Sequence, residues 1–196
     1  MERENQRVVI TKRMLKESML RILKEKDPDA INVSELCREA GVNRATFYRH
    51  YQIPRDVLSE IQQDLYRELR QRVEMPESIE DIRPVAEKLC IFLNEHRALL
   101  RIFIRSNSDS DFVNYMNDVY SELAREYRHI PAPKKLSQED VRLLTLYNTG
   151  GSYFVLRSWI MGSIQKTPKE MADYVYSVVE KTRQLMIATL SEPKIR

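Results

Sequence analysis

Residues 32–51, NVSELCREAGVNRATFYRHY, constrain the fold more than any other stretch. They read as two short helices, 34–40 and 44 to 50 or 51, joined by a tight turn at Gly41-Val42-Asn43. Gly41 follows the last apolar-periodic position of the first helix, where a residue without Cβ takes the left-handed backbone that ends a helix. Asn43 then suits the N-cap of the second. Val33, Leu36, Cys37, Ala40, Val42 and Phe47 can share one small core, which leaves Arg44, Ala45, Thr46, Tyr48, Arg49 and His50 outside.

That outer set has the chemistry of a helix that enters the DNA major groove. Ala45 and Thr46 are short enough for close approach, while Arg44, Tyr48, Arg49 and His50 reach base edges and phosphates. No carboxylate occurs between Ala40 and Arg55, although the chain carries 29 acids against 32 Lys and Arg, so the positive field is local. Phosphates would meet it there. An ordinary helix hairpin with a solvated basic face shares the same pattern.

A resemblance separates the two readings. Residues 11 to about 65 resemble the DNA-binding domain of the TetR family of one-component transcriptional regulators. The likeness is carried by ITKRMLKESMLRILKE, by VSELCREAGVNRATFYRHY and by the following DVL. It implies that Ser34, Asn43, Arg44, Ala45, Thr46, Tyr48, Arg49, His50 and Arg55 face double-stranded DNA. Two positions depart from the family pattern. Pro54 stands where a lysine usually opens the fourth helix, which leaves the phosphate contact to Arg55, and Cys37 replaces a usual alanine.

The remainder of the chain reads as helical. There are only four glycines in 196 residues, Leu, Glu, Lys and Arg are abundant, and no apolar alternation is long enough for a sheet. The expectation is an all-α protein of about nine helices: a three-helix helix-turn-helix head, a connecting helix and a C-terminal bundle. Met14, Leu15, Ser18, Met19, Ile22 and Leu23 form the inward stripe of a first helix running from about 9 or 11 to 26. Asp27-Pro28-Asp29 ends it. Ser34 opens the next helix as a simple cap or as a phosphate ligand. Arg3 and Arg7 form either a frayed tail or an arm that touches DNA. A helix over 54–73 presents Val57, Leu58, Ile61, Leu65 and Leu69 and links head to body, so residues 1–73 and 74–196 are the expected domains.

In the body, helices are expected near 83–94, 97–104, 110–127 and 137–162, and a last one begins at Thr167-Pro168 with Glu170 completing its cap. Phe92, Phe103, Tyr115, Met116, Tyr120, Tyr147 and Phe154 are compatible with the effector pocket that the family resemblance implies, although aromatics at helical spacing also serve as plain core. Leu156, Trp159, Met171, Val175, Val178 and Leu185 are the expected dimer interface, on two long helices whose seam would form a four-helix interface with a second copy. The alternative is a pair of helices closing a monomeric core. Gly150-Gly151, inside the first of them, calls for close approach of a neighbouring helix or a bound molecule. GGSYFVLRSWIMGS followed by TPKEMA also resembles a TetR subgroup that includes regulators associated with dihydroxyacetone kinases.

Function follows as sequence-specific transcriptional regulation by a homodimer, a repressor on a palindromic operator, with release by a small-molecule effector implied by the resemblance. A helical protein–protein adaptor is the alternative, but it has no use for an acid-free Arg/Thr/Tyr/His helix. No catalytic, metal or cofactor site is expected: there is no HExxH, CxxC, nucleophile elbow or phosphate-cradling glycine loop. Cys37 and Cys90 read as buried reduced thiols, and His96 and His129 as solvated or capping residues. The charged N-terminus and the lack of a long apolar run point to a cytoplasmic protein with no membrane partner.

Overall fold

A computed structural model describes residues 2–73, 83–105 and 138–191. Eight α-helices occupy them: α1 (Glu2–Ile22), α2 (Val33–Ala40), α3 (Arg44–Tyr48), α4 (Pro54–Arg72), α5 (Arg83–Glu95), α6 (Arg97–Arg105), α7 (Gln138–Met161) and α8 (Pro168–Ser191). A 3-10 turn, Pro28–Ala30, precedes α2, and no strand occurs among the described residues. The architecture is all-α, as the composition requires. The helix expected over 110–127 lies outside the described residues.

Helix α1 starts earlier than its apolar stripe suggests, because the polar run before Val8 contains no glycine or proline to stop it. It also ends sooner. After Ile22 the chain unwinds through turns, in which the Lys24 N–H reaches the Arg21 carbonyl three residues back.

Two compact units result. The first gathers residues up to Glu68 and the end of α6 from Ile102; the second holds Leu69–Arg101 with α7 and α8. In the first, α1 packs on α2 and α2 on α3. Leu15, Met19, Leu36, Phe47, Val57 and Leu58 are essentially buried. Each such side chain contributes about 1.5–3 kcal/mol on burial, so this small helical head has a core of its own. Ser18, on the inward face, is also buried, and its Oγ accepts a 2.8 Å hydrogen bond from Arg21.

In the second unit α8 packs against both α5 and α7. Phe92, Leu93, Leu156, Trp159, Ile160, Met171 and Ala172 are buried. Thr167 and Glu170 form the expected capping box: the Glu170 carboxylate accepts from the Thr167 N–H at 2.8 Å, and Thr167 Oγ1 accepts from the Glu170 N–H at 3.2 Å. The other end of the α7–α8 turn is closed by side chains. Arg97 donates to the carbonyls of Trp159 and Ile160, Arg101 donates to Ile160 O at 2.6 Å, and Trp159 Nε1 donates to Lys166 O at 2.8 Å. Two guanidinium groups thus satisfy carbonyls that the end of α7 leaves open. Gly162 follows with φ +93, and Arg101 Nη2 sits 3.0 Å from where a Cβ would stand.

Candidate nucleic-acid interface

The turn between α2 and α3 is built from backbone hydrogen bonds. Gly41 adopts φ 64, ψ 27; its N–H donates to Arg38 O at 3.3 Å, and the Val42 N–H donates to Cys37 O at 2.9 Å. These two bonds are the Schellman closure, which needs a left-handed residue at the position of Gly41. Asn43 Oδ1 then accepts from the Thr46 N–H at 2.7 Å and starts α3. Phe47, fully buried, pins the short helix to the core, and its ring meets those of Tyr48 and Tyr51 at 5.5 and 5.8 Å between centroids.

With Phe47 inward, Arg44, Ala45, Tyr48 and Arg49 are exposed and Thr46 and His50 are half-buried. Arg44 Nη2 lies 3.5 Å from Tyr48 Oη, one helical turn along. The helix stops at Tyr48, so Arg49 and His50 stand in the turn beyond it, their N–H groups donating to Thr46 O and Phe47 O. The expected extension of α3 to 50 or 51 is corrected accordingly. Asn43 has its side-chain oxygen committed to the cap. Ser34 is exposed in the first turn of α2, but the cap of that helix is Asn32, whose Oδ1 accepts from the Glu35 N–H at 3.0 Å. The reading of Ser34 as the cap is therefore corrected.

Arg55 sits in the first turn of α4 and forks onto Asp29, with Nε–Oδ1 2.7 Å and Nη2–Oδ2 3.2 Å. The guanidinium holds the Asp29 carboxyl below its usual range. The neighbouring acid, Asp56, accepts from the N–H groups of Gln52 and Ile53 at 2.7 and 3.0 Å and caps α4.

Behind this face lies a polar cluster that the sequence reading passed over. Glu60 accepts from Lys12 at 2.9 Å and from Tyr51 Oη at 2.9 Å and pairs with Lys16 at 2.8 Å, while Lys16 also meets Asp64 at 2.5 Å. Burial pushes the Glu60 carboxyl up, but the hydrogen bonds from Lys16, Lys12 and Tyr51 outweigh it and hold the group at about 2. Burial lowers Lys16, and its bonds to Asp64 and Glu60 reverse the direction, leaving it raised. Tyr51 is raised by burial first and by Glu60 second. The cluster ties α1 to α4. A signal for it did exist, since Lys12 and Lys16, and Glu60 and Asp64, are each four apart on a helix.

The other expected sites fare differently. Leu156, Trp159 and Met171, expected at a dimer interface, are buried within their own chain. Their apolar area is already used within the chain. Val175 is half-buried, Val178 is exposed, and the side chain of Leu185 lies outside the described residues. Phe92 and Phe103 are buried, whereas Tyr147 and Phe154 are 70% and 66% exposed. Tyr115, Met116 and Tyr120 lie outside the described residues. Leu143, Leu146, Tyr147 and Phe154 share one outer face of α7 with Gly150 and Gly151, over whose missing Cβ atoms nothing lies within 4 Å. Cys37 and Cys90 are both buried; burial raises both thiols, that of Cys90 to about 12, which makes them poor nucleophiles at neutral pH.

Comparison with known proteins gives two family matches, one at each end of the chain. Residues 18–60 match the profile described as bacterial regulatory proteins, tetR family, and residues 80–181 match that of a transcriptional regulator C-terminal region. Among curated proteins none matches the sequence. Similar solved structures include a TetR transcriptional regulator from Streptococcus agalactiae 2603V, 17% identical, with a TM-score of 0.67 over 90% of this chain and 97% of that one. The dihydroxyacetone kinase operon activator DhaS is 15% identical, with a TM-score of 0.63 over 90% and 98%. The fatty acid degradation regulator FadR from Bacillus halodurans is 16% identical, with a TM-score of 0.50 over 95% and 97%. At these identities the likeness speaks for the fold.

Proposed function

The chain belongs to the TetR family of bacterial transcriptional regulators, and on that premise we propose that it represses transcription as a homodimer on a palindromic operator. It is a DNA-binding regulator and not an enzyme, as its family is. The observation that carries the finer reading is the face left outward once Phe47 is buried: Arg44, Ala45, Thr46 and Tyr48 on α3, with Arg49 and His50 just beyond. Arg44, Thr46 and Tyr48 take the base edges, and Arg49, His50, Ser34 and Arg55 take phosphates. One such helix reads only about four to six base pairs, so two copies related by a dyad, reading grooves about 34 Å apart, supply the specificity.

Support for the dimer comes from the outer face of α7. Large apolar side chains flank two glycines there, the composition that lets a second helix pack closely. Tyr174 and Val178, four apart and exposed on α8, extend the apolar surface available to a partner. We place the head in residues 1–73 and the dimerising, effector-binding body in 74–196, with α4 transmitting a ligand's effect to the head. No described helix is long and apolar enough to cross a membrane, and we place the protein in the cytoplasm.

Titration of random duplex DNA at several salt concentrations tests the reading at its base: weak binding that falls steeply with salt is expected. Selection of bound genomic fragments then yields the operator, and a reporter reads the sign of regulation. Arg44→Ala should weaken operator binding roughly five- to hundredfold and relax base preference at one position, as loss of a bidentate guanine contact does. An unchanged preference would remove Arg44 from the base-reading set. Phe154→Arg should convert the dimer to monomers in sedimentation, and a persisting dimer would move the interface elsewhere.

A further inference from the structure

Helix α3 is only five residues long, too short to hold a direction of its own, so its anchors decide where it points. The turn at Gly41 and the Asn43 cap fix its start, and the buried Phe47 ring fixes its middle. The chain leaving it is tied down by Tyr51. The Tyr51 N–H donates to Phe47 O at 3.0 Å, its ring centre lies 5.8 Å from that of Phe47 and 6.5 Å from that of His50, and its hydroxyl donates to Glu60 Oε2 at 2.9 Å. We propose that Tyr51, through its bond to Glu60 on α4, is a positioning residue that sets the angle at which α3 presents Arg44 and Thr46 to the bases, an inference that rests on the DNA-binding reading above. Tyr51 then governs sequence preference without touching DNA.

Burial sets Tyr51 apart from the tyrosine one turn before it. Tyr51 is 5% exposed and Tyr48 is 53% exposed, so the Tyr51 hydroxyl is spent inside the head and does not reach a phosphate. Its acceptor is fixed from the other side. Glu60 Oε2 also accepts from Lys12 at 2.9 Å, the Lys12 ammonium lies 5.4 Å from the centre of the Tyr51 ring, and Glu60 Oε1 pairs with Lys16 at 2.8 Å. Two lysines of α1 thus hold the carboxylate still and charged, and a charged acceptor makes the stronger hydrogen bond. The two oxygens divide the work: Oε2 takes the hydroxyl from the end of α3, while Oε1 and Asp64 join Lys16 to α4 alone. Base edges must be met to within about 0.5 Å, whereas phosphates are met by charge over a longer range. A small tilt of α3 therefore costs the first and spares the second.

Genomic fragments are selected with the full wild-type chain; the best-bound fragment and a random-sequence duplex are then titrated with wild type, Tyr51→Phe and Lys16→Met across a salt series. Tyr51→Phe loses only the hydroxyl. Its affinity for the selected fragment should fall roughly five- to fiftyfold, the scale of one lost base contact, while random-duplex affinity stays within about twofold with an unchanged salt slope. Lys16→Met removes the bonds to Glu60 Oε1 and Asp64, so it should lower the denaturation midpoint and leave the ratio of the two affinities near that of wild type. An unchanged ratio in Tyr51→Phe overturns the proposal. A ratio that falls equally in Lys16→Met overturns it too, because any loosening of the head would then suffice. So does a parallel loss of both affinities in Tyr51→Phe, which would mean unfolding or a direct phosphate contact. If wild type binds neither duplex, or both equally, the sequence-specific DNA-binding reading itself fails and takes the proposal with it.

Discussion

Two sets of ion pairs in the first unit have almost the same geometry and opposite surroundings. Glu60 gathers Lys12, Lys16 and Tyr51 with 26% of its side chain exposed, whereas Asp29 meets Arg55 with 73% exposed. Distances run from 2.5 to 2.9 Å in the inner set and are 2.7 and 3.2 Å in the outer. Distance therefore does not rank them; solvent does, because water and salt screen the outer pair while the inner one trades hydration for mutual attraction. Removing one member of the inner set strands its partners, while removing Asp29 takes away a contact that solvent already weakens.

The largest effect should come from Glu60→Ala, which takes one acceptor from two ammonium groups and a buried hydroxyl. A loss of roughly 2–3 kcal/mol is expected, below the figure for fully buried pairs because the site is partly solvated. Urea denaturation of the full chain followed by helical signal measures it, and a loss under a few tenths would place the inner set with the outer. Glu60→Gln, which keeps the shape, should cost less.

Acid sharpens the same contrast. Glu60 has its folded value at about 2 against an ordinary 4.5, so its contribution is complete above pH 4.5 and is lost as pH falls toward 2. Lys16 acts at the opposite end, its contribution present below 10.5 and fading as pH rises past that. Wild type should lose more stability than Glu60→Gln between pH 4.5 and 2, and parallel curves would show that the cluster does not set the acid limb.

Gly41→Ala supplies a scale free of charge. Nothing lies within 4 Å of the added methyl, so the cost is that of holding a Cβ at φ 64, about 1–2 kcal/mol and insensitive to salt. A salt-dependent loss would mean that the turn is coupled to the polar cluster.

What could be read from the chain divides along similar lines. Caps and turns are local, so Gly41, Asn43 and the Thr167–Glu170 box announced themselves within four residues. The Lys12–Glu60 and Lys16–Asp64 bonds join positions 48 apart, and Asp29–Arg55 joins positions 26 apart; local patterns do not say which charges meet. Helix α7 was ambiguous for another reason. Aromatic and apolar residues line both of its sides, Tyr147 and Phe154 on one and Tyr153 and Trp159 on the other, so periodicity marks a helix without choosing its inner face. The choice is made by α8 and by the arginines of α6 at its end, which no pattern inside α7 names. That is why Leu156, Trp159 and Met171, expected at an interface, lie in the core, while Tyr147 and Phe154, expected in a pocket, lie at the surface.

The smallest effects belong to the outer pairs, and smallness is what makes them informative. Arg13→Ala, which removes an exposed pair with Glu17 one helical turn on, should change stability by no more than about 0.5 kcal/mol. Asp29→Asn should leave the denaturation midpoint nearly where it is, since that pair is open to solvent. The decisive measurement is thus the denaturation midpoint of Asp29→Asn beside that of Glu60→Gln. A comparable fall in both would make Asp29–Arg55 a structural pair like Lys16–Glu60, and the contrast between the two sets would collapse.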